Sequence, residues 1–130
     1  MVRPGAAVAV EFGARPEQLG LGRVLTRAVG LGLGVSVGEV ADLELVVHEI
    51  AALLVPATAP DAVLRCEYRV HDTVIGVRVT ARTRAEPTTD GLGWHIVRAL
   101  AGDAALDRGP ADESGHPTCV RFSWPHPGIG

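Results

Sequence analysis

The sequence contains no lysine and no asparagine, and all twelve of its basic residues are arginine. These absences exclude a P-loop lysine, a Schiff-base lysine and an asparagine ligand for a metal. Cysteine is scarce: Cys66 and Cys119 are the only two, so there is no disulfide framework to read from spacing. The apolar stretch from Gly5 to Val10 is too short for a signal-peptide core and meets Glu11 at once. Without an export signal, both cysteines are expected as reduced thiols in the cytoplasm. No apolar run approaches the roughly eighteen residues of a membrane span. There is also no dense basic run, and the net charge of −3 argues against nucleic acid as a main partner, since phosphate neutralisation supplies most of that affinity.

What is present bounds the architecture. A chain of 130 residues, 47% apolar and 21% charged, is expected to form one globular domain over residues 1–130, with one core. No internal repeat or interdomain linker interrupts it. Ala6, Val8, Val10 and Phe12 alternate as a strand does. Pro16 suits the first turn of a helix, with Glu17 beside the N-terminal dipole. In that helix Leu21, Val24, Leu25 and Ala28 form the apolar stripe, Arg23, Thr26 and Arg27 fall elsewhere on the cylinder, and the glycine-rich stretch Gly30 to Gly34 ends it. Ser36 with Glu39 is a capping-box signature. It opens a second helix with Val40, Leu43, Val47, Ile50, Ala51 and Leu54 on one stripe, bounded by Pro56 and Pro60.

The clearest hairpin follows. Leu64, Cys66, Tyr68 and Val70 share one face of its first strand, and Ile75, Val77, Val79 and Ala81 the inner face of its second, joined at His71-Asp72. Residues Thr83 to Thr89 read as a short polar loop, and Asp90 as the cap of a third helix from Gly91 to Ala101 with Leu92, Ile96, Ala99 and Leu100 on its apolar side. Ala104 to Arg108 is a candidate short strand, and Val120, Phe122 and Trp124 alternate in a last one. The order βααββαββ predicts a two-layer α/β (α+β) sandwich: a mixed, largely antiparallel sheet with helices on one face.

Two segments carry possible chemistry. In Asp90-Gly91-Leu92-Gly93-Trp94, glycines at a helix start either bring backbone N–H groups to a phosphate or relieve a tight loop-to-helix turn. In the second helix, Asp42, Glu49 and Leu53 lie near one face, with Glu49 and Leu53 one turn apart. A carboxylate there is either a general base or part of a solvated face. His48-Glu49 lacks the second histidine of a zinc-protease helix, and His71, His95, His116 and His126 read as surface imidazoles without ligand spacing, so no metal site is expected. No Gly-x-Ser-x-Gly surrounds Ser36, Ser114 or Ser123. Cys66 and Trp124 read as core, Trp94 as core more than interface, and Cys119 as packed or edge-exposed.

Taken together, in this order and spacing, the two segments make the chain from Asp42 to Trp124 resemble the anti-sigma-factor protein-serine kinases. That family shares the Bergerat ATPase fold with the gyrase, histidine-kinase and mismatch-repair ATPases. The resemblance implies a Bergerat-type fold, with Glu49 on the family's general base and Gly91, Leu92 and Gly93 on its phosphate-contacting turn. It also marks departures. Leu53 falls on the magnesium-binding asparagine, and an isobutyl group offers no oxygen to a hard cation. The strand running into Thr80-Ala-Arg-Thr-Arg-Ala-Glu86 lacks the aspartate that would hold adenine, and Thr83 to Thr89 is too short for the usual lid.

The resemblance therefore implies an anti-sigma-factor-like regulator that acts by protein binding, with a vestigial site. No cofactor is required, and ATP or ADP would bind weakly. The alternative is an active kinase that phosphorylates an anti-anti-sigma factor; a third reading is a scaffold for an unrelated signalling protein. Expected partners are a sigma factor, an anti-anti-sigma factor or both, and a second copy of the chain, since the family dimerises through its N-terminal half. Arg15, Arg23 and Arg27 lie on or near the polar side of the first helix, with no carboxylate after Glu17 in that helix to neutralise them. They are either a solvated basic face or the contact for acidic groups on a sigma factor.

Overall fold

The structure, a computed structural model, describes residues 5–126, so the single-domain reading of residues 1–130 reaches past the described residues at both ends. The elements are β1 (Ala7–Gly13), α1 (Leu19–Gly32), α2 (Val37–Leu54), β2 (Val63–His71), β3 (Val74–Thr83), α3 (Leu92–Leu100), β4 (Ala105–Arg108) and β5 (His116–Pro125). This is the expected order. The strands form one five-stranded sheet in the order β1-β2-β3-β5-β4. Every neighbouring pair is antiparallel, which corrects the expectation of a mixed sheet. The crossover through α3 does set β4 parallel to β3, but β5 inserts between them and leaves no parallel neighbours.

Side-chain alternation decides which face the helices cover. Leu64, Cys66, Tyr68 and Val70 on β2, Ile75, Val77 and Val79 on β3, and Val120, Phe122 and Trp124 on β5 are buried. The alternate residues Arg65, Arg69, Arg78, Arg121 and Ser123 are exposed. The connection between β2 and β3 is Asp72-Thr73, one residue later than the sequence suggested, with Asp72 at φ 46°; aspartate tolerates this left-handed geometry. Helix α2 lies on the inner face as its stripe predicts: Val40, Leu43, Val46, Val47, Ile50, Ala51 and Leu54 are all buried. The Ser36 hydroxyl accepts a hydrogen bond from the Glu39 backbone N–H at 3.2 Å, satisfying one of the otherwise unpaired amides of the first turn.

Helix α1 does not bury the stripe that hydrophobicity selects. Leu21 is 45% and Val24 63% exposed, and Ala28 is exposed as well. The buried positions are Gly22, Thr26 and Gly30, a file of small residues that lets the helix backbone approach the layer beneath. A Cβ on Gly22 would stand 2.7 Å from Phe12 Cζ, and one on Gly30 would stand 3.0 Å from Val40 Cγ2. Thr26 donates to the Gly22 carbonyl at 2.9 Å and shares a hydrogen bond of 2.9 Å with the Tyr68 hydroxyl, so both polar groups are paired inside the core. Close packing has overridden apolar content here, and Leu21, Val24 and Leu31 are left facing outward.

Helix α3 is rotated in the same sense. Val97 is its buried residue and Ala101 follows it, whereas Leu92 is 76% exposed and Leu100 is also exposed. The N-cap is Gly91, without a side-chain hydrogen bond, so Asp90 does not cap this helix. His126, expected at the surface, is buried and donates from Nε2 to the Leu33 carbonyl at 2.6 Å, tying the end of α1 to the sheet. Burial pushes the Cys66 thiol up to about 12 against the smaller opposing effect of a hydrogen bond with Tyr68. It is a core group and not a reactive thiolate. Among the described residues, no helix is long and apolar enough to cross a membrane.

Candidate functional site

The packing of α2 fixes the site. With Val46, Val47, Ile50 and Ala51 committed to the core, Glu49 and Leu53 are turned to its outer side, toward α3. The two helices are in contact, and the first turn of α3 fits under the Glu49 carboxylate: a Cβ on Gly93 would stand 2.8 Å from Glu49 Oε2. The absence of a side chain at Gly93 thus leaves room for the Glu49 carboxylate, which would have to swing aside for a larger residue.

The opposite wall is built by the turn after α2. The Ala57 carbonyl accepts from the Arg84 N–H at 2.8 Å and the Ala85 N–H at 3.2 Å, and Thr58 bridges to Thr83. These bonds hold the start of the 84–91 connection against the 3-10 turn Val55–Ala57. The connection then crosses back to α3 with Pro87 buried. A cleft of about 320 Å³ is enclosed between α2, this connection and the start of α3; Glu49, Leu53, Glu86, Gly91, Gly93 and Trp94 are among its lining.

The structure thus brings together Glu49, Leu53, Gly91 and Gly93, which the sequence singled out from segments some forty residues apart. It does not include Leu92, which projects outward, nor Asp42 or Asp90. It adds Glu86 and Trp94. Trp94 follows directly from the glycine turn, whereas Glu86 had no signal beyond the brevity of its loop. Two carboxylates, the apolar Leu53 and an indole line this cleft, and among the described residues no basic side chain does. Leu53 offers no oxygen to a magnesium ion, which leaves Glu49 and Glu86 as the acidic groups of the lining. Among the described residues there is also no group of three or more His, Cys, Asp or Glu placed to hold a metal.

The three arginines of the N-terminal helical region lie apart from the cleft and are less free than the sequence suggests. Arg15 pairs with Glu17 at 3.3 Å. Arg27 pairs with Glu44 of α2 at 3.2 Å, where Glu44 is only 12% exposed. A carboxylate from the neighbouring helix thus supplies the neutralisation that α1 itself lacks. Arg23 is exposed and has no ion-pair partner among the described residues.

No protein-family model matches the chain. It is similar to the anti-sigma-F factor RsbW of Mycobacterium tuberculosis, in strain CDC 1551 / Oshkosh and in strain ATCC 25618 / H37Rv alike. The identity is 33% over 99 residues, which is 75% of this chain and 59% of the relative. The chain accordingly spans about three fifths of the length of the relatives it matches.

Proposed function

We propose that this chain is an anti-sigma factor of the Bergerat-fold group that regulates transcription in the cytoplasm by binding protein partners, with a cleft too altered for kinase chemistry. The likeness to anti-sigma-F factors supports the first half of this reading. The observation that carries the second half is the cleft lining, with Leu53 one turn from Glu49 and no basic side chain among the described residues. Phosphoryl transfer depends on positioned phosphates and charge neutralisation by metal and cations; among the described residues this cleft supplies no cationic side chain for that neutralisation. Its polypeptide partners are a sigma factor and an anti-anti-sigma factor.

The expected result is no magnesium-dependent ATP hydrolysis and no serine phosphorylation when the protein is incubated with labelled ATP, magnesium and a candidate anti-anti-sigma substrate. Incorporation above a Glu49→Ala control would sink the claim. One observation favours the rival kinase reading: Glu86 places a carboxylate in the cleft wall, where it is available to an adenine amino group. The same assay decides between the two, with Glu86→Gln abolishing activity if the rival holds. Any residual nucleotide contact falls on the backbone of Gly91 to Gly93, and Gly93→Val is expected to weaken it by placing a branched side chain over those amides and displacing Glu49.

The protein is also proposed to dimerise through its N-terminal half. Leu21, Val24 and Leu31 of α1 are 45%, 63% and 41% exposed, and Val8 on the edge strand β1 is 36% exposed. An apolar file of this kind on a helix beside an open sheet edge suits a second copy. Light scattering at high micromolar concentration is expected to give twice the 13.6 kDa chain mass, and a Leu21→Glu, Val24→Glu variant to give a single chain mass. A monomeric parent protein would refute this.

A further inference from the structure

The sheet has a second face that no helix among the described residues covers, and its charges are unevenly spent. Register places Arg69, Gly76 and Ser123 in one row across β2, β3 and β5. The next row is Glu67, Arg78 and Arg121, and the one after it Arg65, Thr80 and Cys119. The carboxylates on and beside this face are engaged. Glu11 and Glu67 pair with Arg65 at 2.9 and 3.6 Å, Asp112 pairs with Arg82 at 2.7 Å, and Asp107 pairs with Arg121. Asp103 accepts the Ser123 N–H at 3.1 Å. Arg69 and Arg78 remain without an ion-pair partner among the described residues, although Glu67 stands across from Arg78 in register.

Two further features of this face are not called for by packing against the core. Arg78 stands directly opposite Arg121 on the neighbouring strand, and like charges so placed repel. Gly76 is the third residue of the central strand β3, where glycine weakens a sheet. Crowding does not require it, because a Cβ there would meet nothing nearer than His71 Cδ2 at 3.6 Å. The missing side chain instead opens the floor of a cleft of about 450 Å³ that includes Arg69, Arg78, Arg121 and Ser123. A second cleft of about 480 Å³ lies beyond Arg78, which lines both.

We propose that this open face binds an extended acidic segment of a protein partner, its carboxylates received by Arg69, Arg78 and Arg121 and its backbone crossing over Gly76. An anion relieves the Arg78–Arg121 repulsion, and arginine forks suit carboxylates. A continuous polyphosphate fits less well, because Glu67, Asp103 and Asp107 surround the free arginines and the chain as a whole carries −3. The face is separate from both the Glu49 cleft and α1, so the proposal stands or falls independently of the kinase and sigma-factor readings.

The test uses the full chain and a fluorescent ten-residue peptide of alternating Glu and Ser, followed by anisotropy. Its comparators are the Gln-Ser counterpart, an oligothymidine of equal length and inorganic phosphate. The Glu peptide is expected to bind at least about tenfold more tightly than the Gln peptide, and to weaken as salt rises. An Arg69→Gln, Arg78→Gln double variant is expected to lose that preference while its thermal midpoint stays level or rises. Gly76→Val, which leaves charge untouched, should also weaken the Glu peptide. Equal binding of the two peptides, preference for oligothymidine or phosphate, or undiminished binding by the double variant would each overturn the proposal. A fall in the double variant's midpoint would do so too, since it would assign the arginines to structure.

Discussion

Leu43→Ala is expected to destabilise the fold by about 2–5 kcal/mol, seen as a lower urea midpoint with an unchanged slope. Leu43 is fully buried at the centre of α2, and its Cδ2 lies 3.3 Å from where a Cβ on Gly30 would stand. One wall of the resulting cavity is therefore the backbone of α1. Helix backbone cannot swing a side chain into the void, so relaxation is limited and the cost should fall toward the upper part of that range. An effect below about 1 kcal/mol would mean that α1 slides inward to fill the space, contrary to the tight seating of Gly22 on Phe12.

An Arg23→Glu, Arg27→Glu double variant is expected to bind a cognate sigma factor about 2–5 kcal/mol more weakly, or roughly 30- to 5,000-fold, through loss of pairs desolvated at the interface. The binding should also fall with salt in the parent protein. Because Arg27 pairs with the largely buried Glu44, Arg27→Glu sets two carboxylates against each other across the α1–α2 contact. Arg23→Glu alone separates the effects, since among the described residues Arg23 has no ion-pair partner to lose. Titration calorimetry on both variants, with circular dichroism to confirm folding, decides it. Unchanged affinity in a folded double variant would move the interface elsewhere, most plainly to the exposed start of α3.

Sequence pattern was a sound guide wherever burial was won by bulk. The β2–β3 hairpin and the α2 stripe alternate or repeat as their burial requires, because most inward residues are large and apolar. It misled wherever burial was won by proximity. Gly22, Thr26 and Gly30 carry little hydrophobicity, yet they form the contact face of α1 because a close approach needs small residues. Leu21 and Val24 looked like core and are surface. The cleft was legible in part: Glu49, Leu53, Gly91 and Gly93 converge as their motif positions suggested. Glu86 and the Arg27–Glu44 pair were not, since each depends on how two elements dock and not on local spacing.

The placement of β5 between β3 and β4 also governs how the chain can fold as it is made. α2 and the β2–β3 hairpin join segments near in sequence and can form early. The other edge of β3, however, is paired along its whole length, Val74 to Thr83, by β5, which is made after β3, α3 and β4. At roughly 5–20 residues per second, about 2–8 s separate the completion of β3 from that of β5. Through that interval a ten-residue strand rich in valine presents unpaired backbone to whatever is nearby, the condition under which edges recruit other chains. Newly made protein should therefore be most vulnerable to aggregation before β5 docks, and loss of residues 116–125 should leave an insoluble product instead of a weakened fold.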